Sequence, residues 1–424
     1  MTQITNEQLT VELPLCSIEK PQPSICYDWA RVGIVTPHKL QGYGVSVRLN
    51  REIKAYQKFG IPLTFLSTTE EGFVNDCEVV CISGLMRRVS RIVGFDRLAN
   101  CERIVRKIFS PGRLNKLSKS LGSKMAEVAE KREINLLHSD DFVGSIISLN
   151  AKNKMAKDPI VVGEFADLIH LDFMERFNLK YSDELVVRTK EMLCEVFDKL
   201  DFAFFVSPVD REIAVKELGL NPNKAQVLYE AADIDVPFKS EYSQFPRNVG
   251  YLGVLASWEN PNLLISSYQN ASRNFDRLDY TIIGAGPLMG QARKMAKASP
   301  GISFCGWHPY AEALKLASNT DIGVIASTKT RAMPSKLFVY ASLGLPMVSI
   351  EGMWWSEYFV KRCGIGYLAS PSSEGIGNAI QQALQDPAEL ERRGKQARKL
   401  ITDEYNWYTR TNKMFKVYEN LVDR

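Results

Sequence analysis

Residues 328–348 read TKTRAMPSKLFVYASLGLPMV, and the organisation of the whole chain turns on how this stretch is read. Three cations, Lys329, Arg331 and Lys336, lie around Pro334, and the apolar segment that follows runs to Gly344. Pro346 then leads into the short apolar run Met347 to Ile350. Proline at the first helical position and glycine just past the last are helix punctuation. The stretch therefore reads as loop, helix of about ten residues, then strand. The amides of Ser335, Lys336 and Leu337 would be unpaired at the positive end of that helix. With cations on the approach, this is a place to hold a phosphate or pyrophosphate. A surface helix preceded by solvated lysines has the same pattern, so the motif alone leaves both readings open.

These residues resemble the donor-binding motif of the two-domain GT-B glycosyltransferases of family 4, also called group 1. One subgroup reads roughly T-x-x-x-x-x-P-x-K-L-x-E-Y-x-x-x-G-x-P-V-V. Thr328, Pro334, Lys336, Leu337, Tyr340, Gly344, Pro346 and Val348 fit it. The family's glutamate, which usually holds the donor ribose hydroxyls, is Val339 here, and a valine accepts no hydrogen bond. The resemblance implies an α/β protein with two Rossmann-like, doubly wound domains facing a cleft. It implies sugar transfer from a nucleotide-sugar donor, a UDP-sugar being favoured, to a hydroxyl acceptor. That acceptor would be a sugar, a lipid-linked sugar or a cell-surface glycan.

The chain as a whole agrees with such a protein. Its 424 residues, 45% hydrophobic, suffice for two or three cored domains. The 53 Lys and Arg against 49 acids give a net charge of +4, too small by itself to imply nucleic acid. Of the eight cysteines only Cys77 and Cys81 are close, with no zinc-type spacing of a second pair. They read as buried free thiols of a reducing compartment. The first 27 residues are polar and proline-rich, unlike a signal peptide. No apolar run reaches membrane-spanning length. A cytoplasmic protein, soluble or held on the inner face of the membrane, is expected.

In chain order, a tail over residues 1–27 precedes a first domain, 28–235. Arg31 to Thr36, the loop Pro37 to Gly44, a helix from Val45 and the strand Leu63 to Ser67 form a β-loop-α-β unit. Gly42 and Gly44 would let backbone approach a ligand, on the acceptor side of the cleft, although glycine-containing βα loops are also common for folding reasons. Met86 to Lys124 carries eleven Arg and Lys against Asp96 and Glu102, interleaved with apolar residues and broken near Pro111-Gly112. Such basic amphipathic helices can lie on anionic lipid; a solvated helical face gives the same pattern. Further on, Ile134 to His138 and Pro159 to Gly163 read as strands, with Glu164, Phe165, Ala166 and Asp167 leaving the second. Ligand contacts gather at such ends, so Asp167 is the candidate catalytic base, with helix capping as its alternative role. Its offset resembles that of the catalytic aspartate in an inverting GT-B glucuronosyltransferase family.

A linker over 236–247 leads to a second domain, 248–400, and a helix over 401–424 that in the family braces the first domain. Gly253 ends the strand Val249 to Val254 as in the family. The two cations that usually follow it, and hold the donor pyrophosphate, are missing from Val254 to Asn260. Lys336, Arg331 and the helix amides would carry that charge instead. Trp258 reads as core. Gly284-Ala285-Gly286-Pro287 is a near miss of a dinucleotide fingerprint, and a lone G-x-G is weak evidence for a nicotinamide cofactor. The form G-x-G-P is frequent in glycosyltransferase donor domains. Trp307 and His308 would border the nucleobase, or else belong to a packed loop. Asp233-Ile234-Asp235 reads as interdomain loop rather than metal site, so neither metal nor other cofactor is expected. Two further readings stay open: a GT-B sugar-nucleotide epimerase, and a non-catalytic nucleotide-sugar-binding protein, which Val339 keeps in play.

Overall fold

Short runs of branched and aromatic residues build the frame. VGIVT, IVVGEF, FAFF, IGVI and MVSI become strands buried on both faces, the habit of parallel sheets covered by helices. The computed structural model describes residues 30–36, 45–67, 72–74, 77–83, 101–110, 112–256, 259–327, 331 and 333–423. These form two compact units, one of Pro21–Tyr229 with Trp407–Arg424 and one centred on Glu230–Asn406.

The first unit holds eight strands: β1 (Val32–Thr36), β2 (Leu63–Ser67), β3 (Gly72–Val74), β4 (Cys77–Cys81), β5 (Leu136–Asp140), β6 (Ile160–Phe165), β7 (Phe202–Phe205) and β8 (Ala225–Val227). Their order is β3-β4-β2-β1-β5-β6-β7-β8, parallel except for the antiparallel pair β3–β4. The β3–β4 edge has no sequence signal beyond the short run CEVVC. The strand order reverses between β1 and β5, the kind of junction where open α/β sheets bind ligands. The helix Trp407–Val422 returns to this unit and buries Met414, Phe415 and Tyr418 with Tyr56, Phe65 and Val162.

The basic stretch resolves into the helices Glu102–Ile108 and Arg113–Lys131, separated at Gly112 in a left-handed conformation. Val105, Phe109, Leu114 and Leu121 are core residues, with Ile108 and Leu117 packed against them. The apolar side of these helices therefore belongs to the protein's own core, and a lipid-inserting face over the described part is corrected. What remains outward is charge: Arg103, Lys107, Arg113, Lys116, Lys119 and Lys124 are exposed. Arg106 is not among them, because it forks onto Asp183 with two 2.8 Å bonds. Residues 86–100 lie outside the described residues.

The second unit is a six-stranded, all-parallel sheet of β9 (Asn248–Leu252), β10 (Asp279–Ile283), β11 (Ile302–Gly306), β12 (Ile322–Ile325), β13 (Met347–Ile350) and β14 (Gly366–Ala369). Its order is β11-β10-β9-β12-β13-β14, so the chain switches direction between β9 and β12. Asn260 and Asp386 cap the helices Pro261–Ser272 and Pro387–Asp403, each with proline in the first turn. Residues 236–247, expected as a linker, pack on this unit. Lys239 N donates to Leu343 O, Lys239 Nζ pairs with Asp321 at 2.7 Å, and the Tyr242 hydroxyl donates to Gly344 O.

Candidate functional site

The switch point of the second unit is assembled from two loops and one short helix. β9 ends at Leu252, and Gly253 follows with φ +151°, a conformation side chains rarely adopt. Opposite, the helix Lys336–Ser342 follows β12. Tyr340 anchors it: its hydroxyl accepts from Leu252 N at 2.8 Å and donates to Val324 O at 3.4 Å. The ring lies where a Cβ on Gly323 would come within 2.6 Å, so β12 needs glycine there for the helix to dock. This anchoring turns Lys336 toward β9.

Lys336 is 8% exposed, and its Nζ sits 2.5 Å from Glu259 Oε2, itself on a residue 6% exposed. The same Nζ lies 3.3 Å from the Tyr251 hydroxyl and 4.6 Å from the centre of that ring. Tyr251 donates to Val254 O at 3.0 Å, so toward Lys336 it is the acceptor. Burial holds the ammonium below the ordinary lysine range, and the Glu259 carboxylate works against that fall. A Cβ on Gly253 would lie 3.0 Å from Nζ. Glycine at 253 thus leaves room for the amine.

The expected residues divide. Gly253 and Lys336 are brought together. Gly284 and Gly286 instead hold two loops against each other: a Cβ would lie 2.0 Å from Gly253 O in one case and 2.3 Å from Leu255 O in the other. Both glycines are needed for that loop contact, whatever they do toward a donor. The helix is seven residues long, shorter than expected, and opens after Ser335, so Pro334 precedes it rather than occupying its first position. Leu337 N already donates to Pro334 O at 3.1 Å, which removes it from the set of amides expected for an anion. Ser335 is exposed and Pro334 and Arg331 are half-buried, the Arg331 carbonyl accepting from Trp354 Nε1 at 2.8 Å. Thr328, Lys329, Trp258, Gly42 and Gly44 lie outside the described residues. Trp307 and His308 follow β11, two strands from β9, or roughly 10 Å across the sheet. The Trp307 residue is 56% exposed. His308 is turned inward, with Nε2 3.1 Å from Cys305 O and Nδ1 3.3 Å from Glu312.

Residues 246–386 match the model of the family described as glycosyl transferases group 1. The matched segment is similar to a group 1 glycosyltransferase domain and spans a third of the chain. An uncharacterized glycosyltransferase of Methanocaldococcus jannaschii is 21% identical over 242 residues, 54% of this chain and 60% of that protein, so under two thirds of that relative is spanned. Sucrose-phosphate synthase from Thermosynechococcus elongatus shares the fold at TM-score 0.70 and 12% identity, over 93% of this chain and 99% of that one. Anabaena HepE, solved with UDP, gives 0.66 and 13%, over 92% and 100%. The fold is GT-B, an architecture of two parallel α/β sheets.

In the first unit, sequence and structure part company by a few residues. β5 and β6 run two residues further than expected, which puts Glu164 and Phe165 inside β6 rather than beyond its end. Glu164 is fully buried. Its Oε1 accepts from Arg410 Nη2 at 2.6 Å and lies 3.2 Å from Arg48 Nη1, and its Oε2 is 3.4 Å from His138. Burial works against the charged form, but the Arg410 and Arg48 guanidiniums and His138 hold its carboxyl well below the usual range. Glu52, which takes Arg410 Nη1 at 2.6 Å, is pushed up to about 7 by burial and by the neighbouring Glu164 charge. Arg48 also pairs with Asp140, and His138 Nδ1 meets the Tyr418 hydroxyl.

Asp167 lies beyond this cluster, half-buried between β6 and the helix Ile169–Phe177. The N-cap position is Leu168, one residue on, so Asp167 is not the helix cap. Neither Glu259 nor the Arg48–Glu52–Glu164–Arg410 cluster was legible in the sequence. Their partners are far apart in the chain, and an isolated Glu in a loop has no motif. The missing cations of Val254–Asn260 were the one pointer to that loop.

Proposed function

We propose that this glycosyltransferase moves a sugar from a UDP-sugar donor to a hydroxyl group of a sugar or lipid-linked acceptor. The observation that carries the reading is the buried Lys336 ammonium at the β9–β12 switch point of a group 1 domain. As the anomeric bond breaks, negative charge gathers on the leaving diphosphate. A desolvated cation fixed in advance stabilises that charge more strongly than a solvated one. Arg331 and the Ser335 hydroxyl would complete the phosphate end, and the exposed Trp307 ring would stack on the base. UDP is favoured because HepE, of the same fold, was solved with UDP and with UDP-glucose.

Asp167 is the proposed general base, taking the proton from the acceptor hydroxyl as its oxygen attacks the anomeric carbon. Glu164 is ill suited to that role because its carboxylate is already taken by Arg410 and Arg48. This makes the enzyme inverting, in line with the glucuronosyltransferase resemblance. With Lys336 supplying the charge, transfer is proposed to need no metal ion. The exposed cations on the helices Glu102–Ile108 and Arg113–Lys131 support attachment to an anionic inner membrane surface by charge, about 1 kcal/mol per cation near the surface. No helix among the described residues is long and apolar enough to cross a membrane.

A thermal-shift panel of UDP, GDP, CMP and dTDP sugars tests the donor, since a ligand of the folded state alone raises the melting point. Incubation with labelled UDP-glucose then separates the readings. Transferred or hydrolysed sugar supports a transferase, an epimerised donor an epimerase, and an unchanged donor a binding protein.

A further inference from the structure

The buried pair across the switch point joins a cation with a recognised use to a carboxylate with none. Glu259 lies in the loop after β9, in the stretch where cations were expected. Among the described residues the cation paired with it is Lys336, and the Tyr251 hydroxyl faces it as well. Resting on the donor-binding reading above, we propose that Glu259 is a positioning residue for the donor, holding Lys336 Nζ in place and charged before any diphosphate arrives.

The argument is one of geometry and charge. An ammonium has three N–H bonds. Glu259 Oε2 at 2.5 Å and the Tyr251 hydroxyl at 3.3 Å take two directions, and these are its recorded partners among the described residues. One direction is left for a ligand. Gly253 keeps that end clear, as a Cβ there would stand 3.0 Å from the nitrogen. Without a counter-ion, an amine this deeply buried gives up its proton readily, and a neutral amine attracts a diphosphate weakly. The other titratable groups facing the pair are the phenols of Tyr251, Tyr280 and Tyr340, all raised above the ordinary tyrosine range, chiefly by burial. They stay neutral across the working range. Lys336 is the group of this cluster whose charge is at stake.

The test is UDP binding by calorimetry from about pH 6 to about pH 9 on the full chain. The wild type is expected to keep its affinity across the range. Glu259→Gln should bind within a few-fold of wild type at the acid end. Above the point where Lys336 loses its proton it should weaken by about tenfold per pH unit relative to wild type. Glu259→Asp restores the charge with a shorter reach and should recover a flat profile at reduced affinity. A residue needed only for folding would show no such recovery. Glu259→Gln following the wild type over the whole range overturns the proposal. Lys336→Met controls for the reading beneath it. If Lys336→Met loses UDP while Glu259→Gln follows the wild type, only the role of Glu259 falls. If Lys336→Met binds UDP normally, or the wild type takes up no UDP, the site assignment falls as well.

Discussion

Arg410 and Glu164 stand 246 positions apart in the chain and 2.6 Å apart in the fold, both buried. Arg410 also reaches Glu52 at 2.6 Å and the Tyr229 carbonyl at 3.1 Å. One guanidinium thereby ties the helix Trp407–Val422 to β6, to the helix Val45–Lys58 and to the end of its unit's main segment. Removing one partner of a buried ion pair typically costs about 3–5 kcal/mol, because the other charge is left unpaired. Arg410→Ala should lower unfolding stability by that order in urea. A loss below about 1 kcal/mol would mean that the apolar contacts of Met414, Phe415 and Tyr418 hold the helix without it.

The same cluster sets a pH dependence. Glu52, raised to about 7, binds its proton more tightly in the folded state, so its contribution is complete below the ordinary carboxylate range and fades as pH rises through about 7. Glu164, held low, acts in the opposite sense: its contribution is present above the ordinary range and is lost as pH falls toward its folded value. In Glu52→Gln, the fall in melting temperature between about pH 5 and about pH 8 should flatten relative to wild type. The wild-type difference across that window is on the order of 3 kcal/mol. Identical slopes in the two proteins would show that Glu52 does not titrate there.

Lys336 is both the proposed phosphate ligand and half of a buried pair. Lys336→Ala alone is expected to lose stability as well as turnover, since Glu259 is left without its counter-charge. The double variant Lys336→Ala with Glu259→Gln separates the two effects. It should regain most of the melting temperature and still lose about 100-fold or more in sugar transfer. Recovery of transfer along with stability would place the catalytic charge on another residue.

Gly253→Ala tests the clearance. Its φ of +151° is strained for alanine, and the added methyl meets Lys336 Nζ at 3.0 Å. A stability loss of about 1–3 kcal/mol is expected from the backbone. The larger effect should be on nucleotide affinity, about tenfold or more weaker, as the amine is pushed aside.

Asp167→Asn should lower transfer to the acceptor by about 100-fold to 10,000-fold while UDP binding stays as it was. The pH–rate profile should also lose its acid limb. Retention of that limb would move the base elsewhere on the sheet's edge.

Strand positions were readable from the chain because short, nearly continuous apolar runs such as VGIVT and MVSI have one physical use, burial between layers of helix. The helix start near Pro334 and its stop at Gly344 were readable because those residues restrict or free the backbone locally. The ends of β5 and β6 were misplaced by two residues, since His138, Ser139, Asp140 and Glu164 look like loop residues until their partners are known. Lys336 was visible as a cation beside a helix. Its burial, and the fact that Gly284 and Gly286 serve loop packing, were not.

Local conformation depends on neighbours in sequence, and the chain by itself therefore determined the β-α alternation and the group 1 signature. Charge compensation depends on neighbours in space. Only the tertiary structure could bring Glu259 to Lys336 and Arg410 to Glu52 and Glu164, because burying an ion is tolerable only where the fold supplies its opposite.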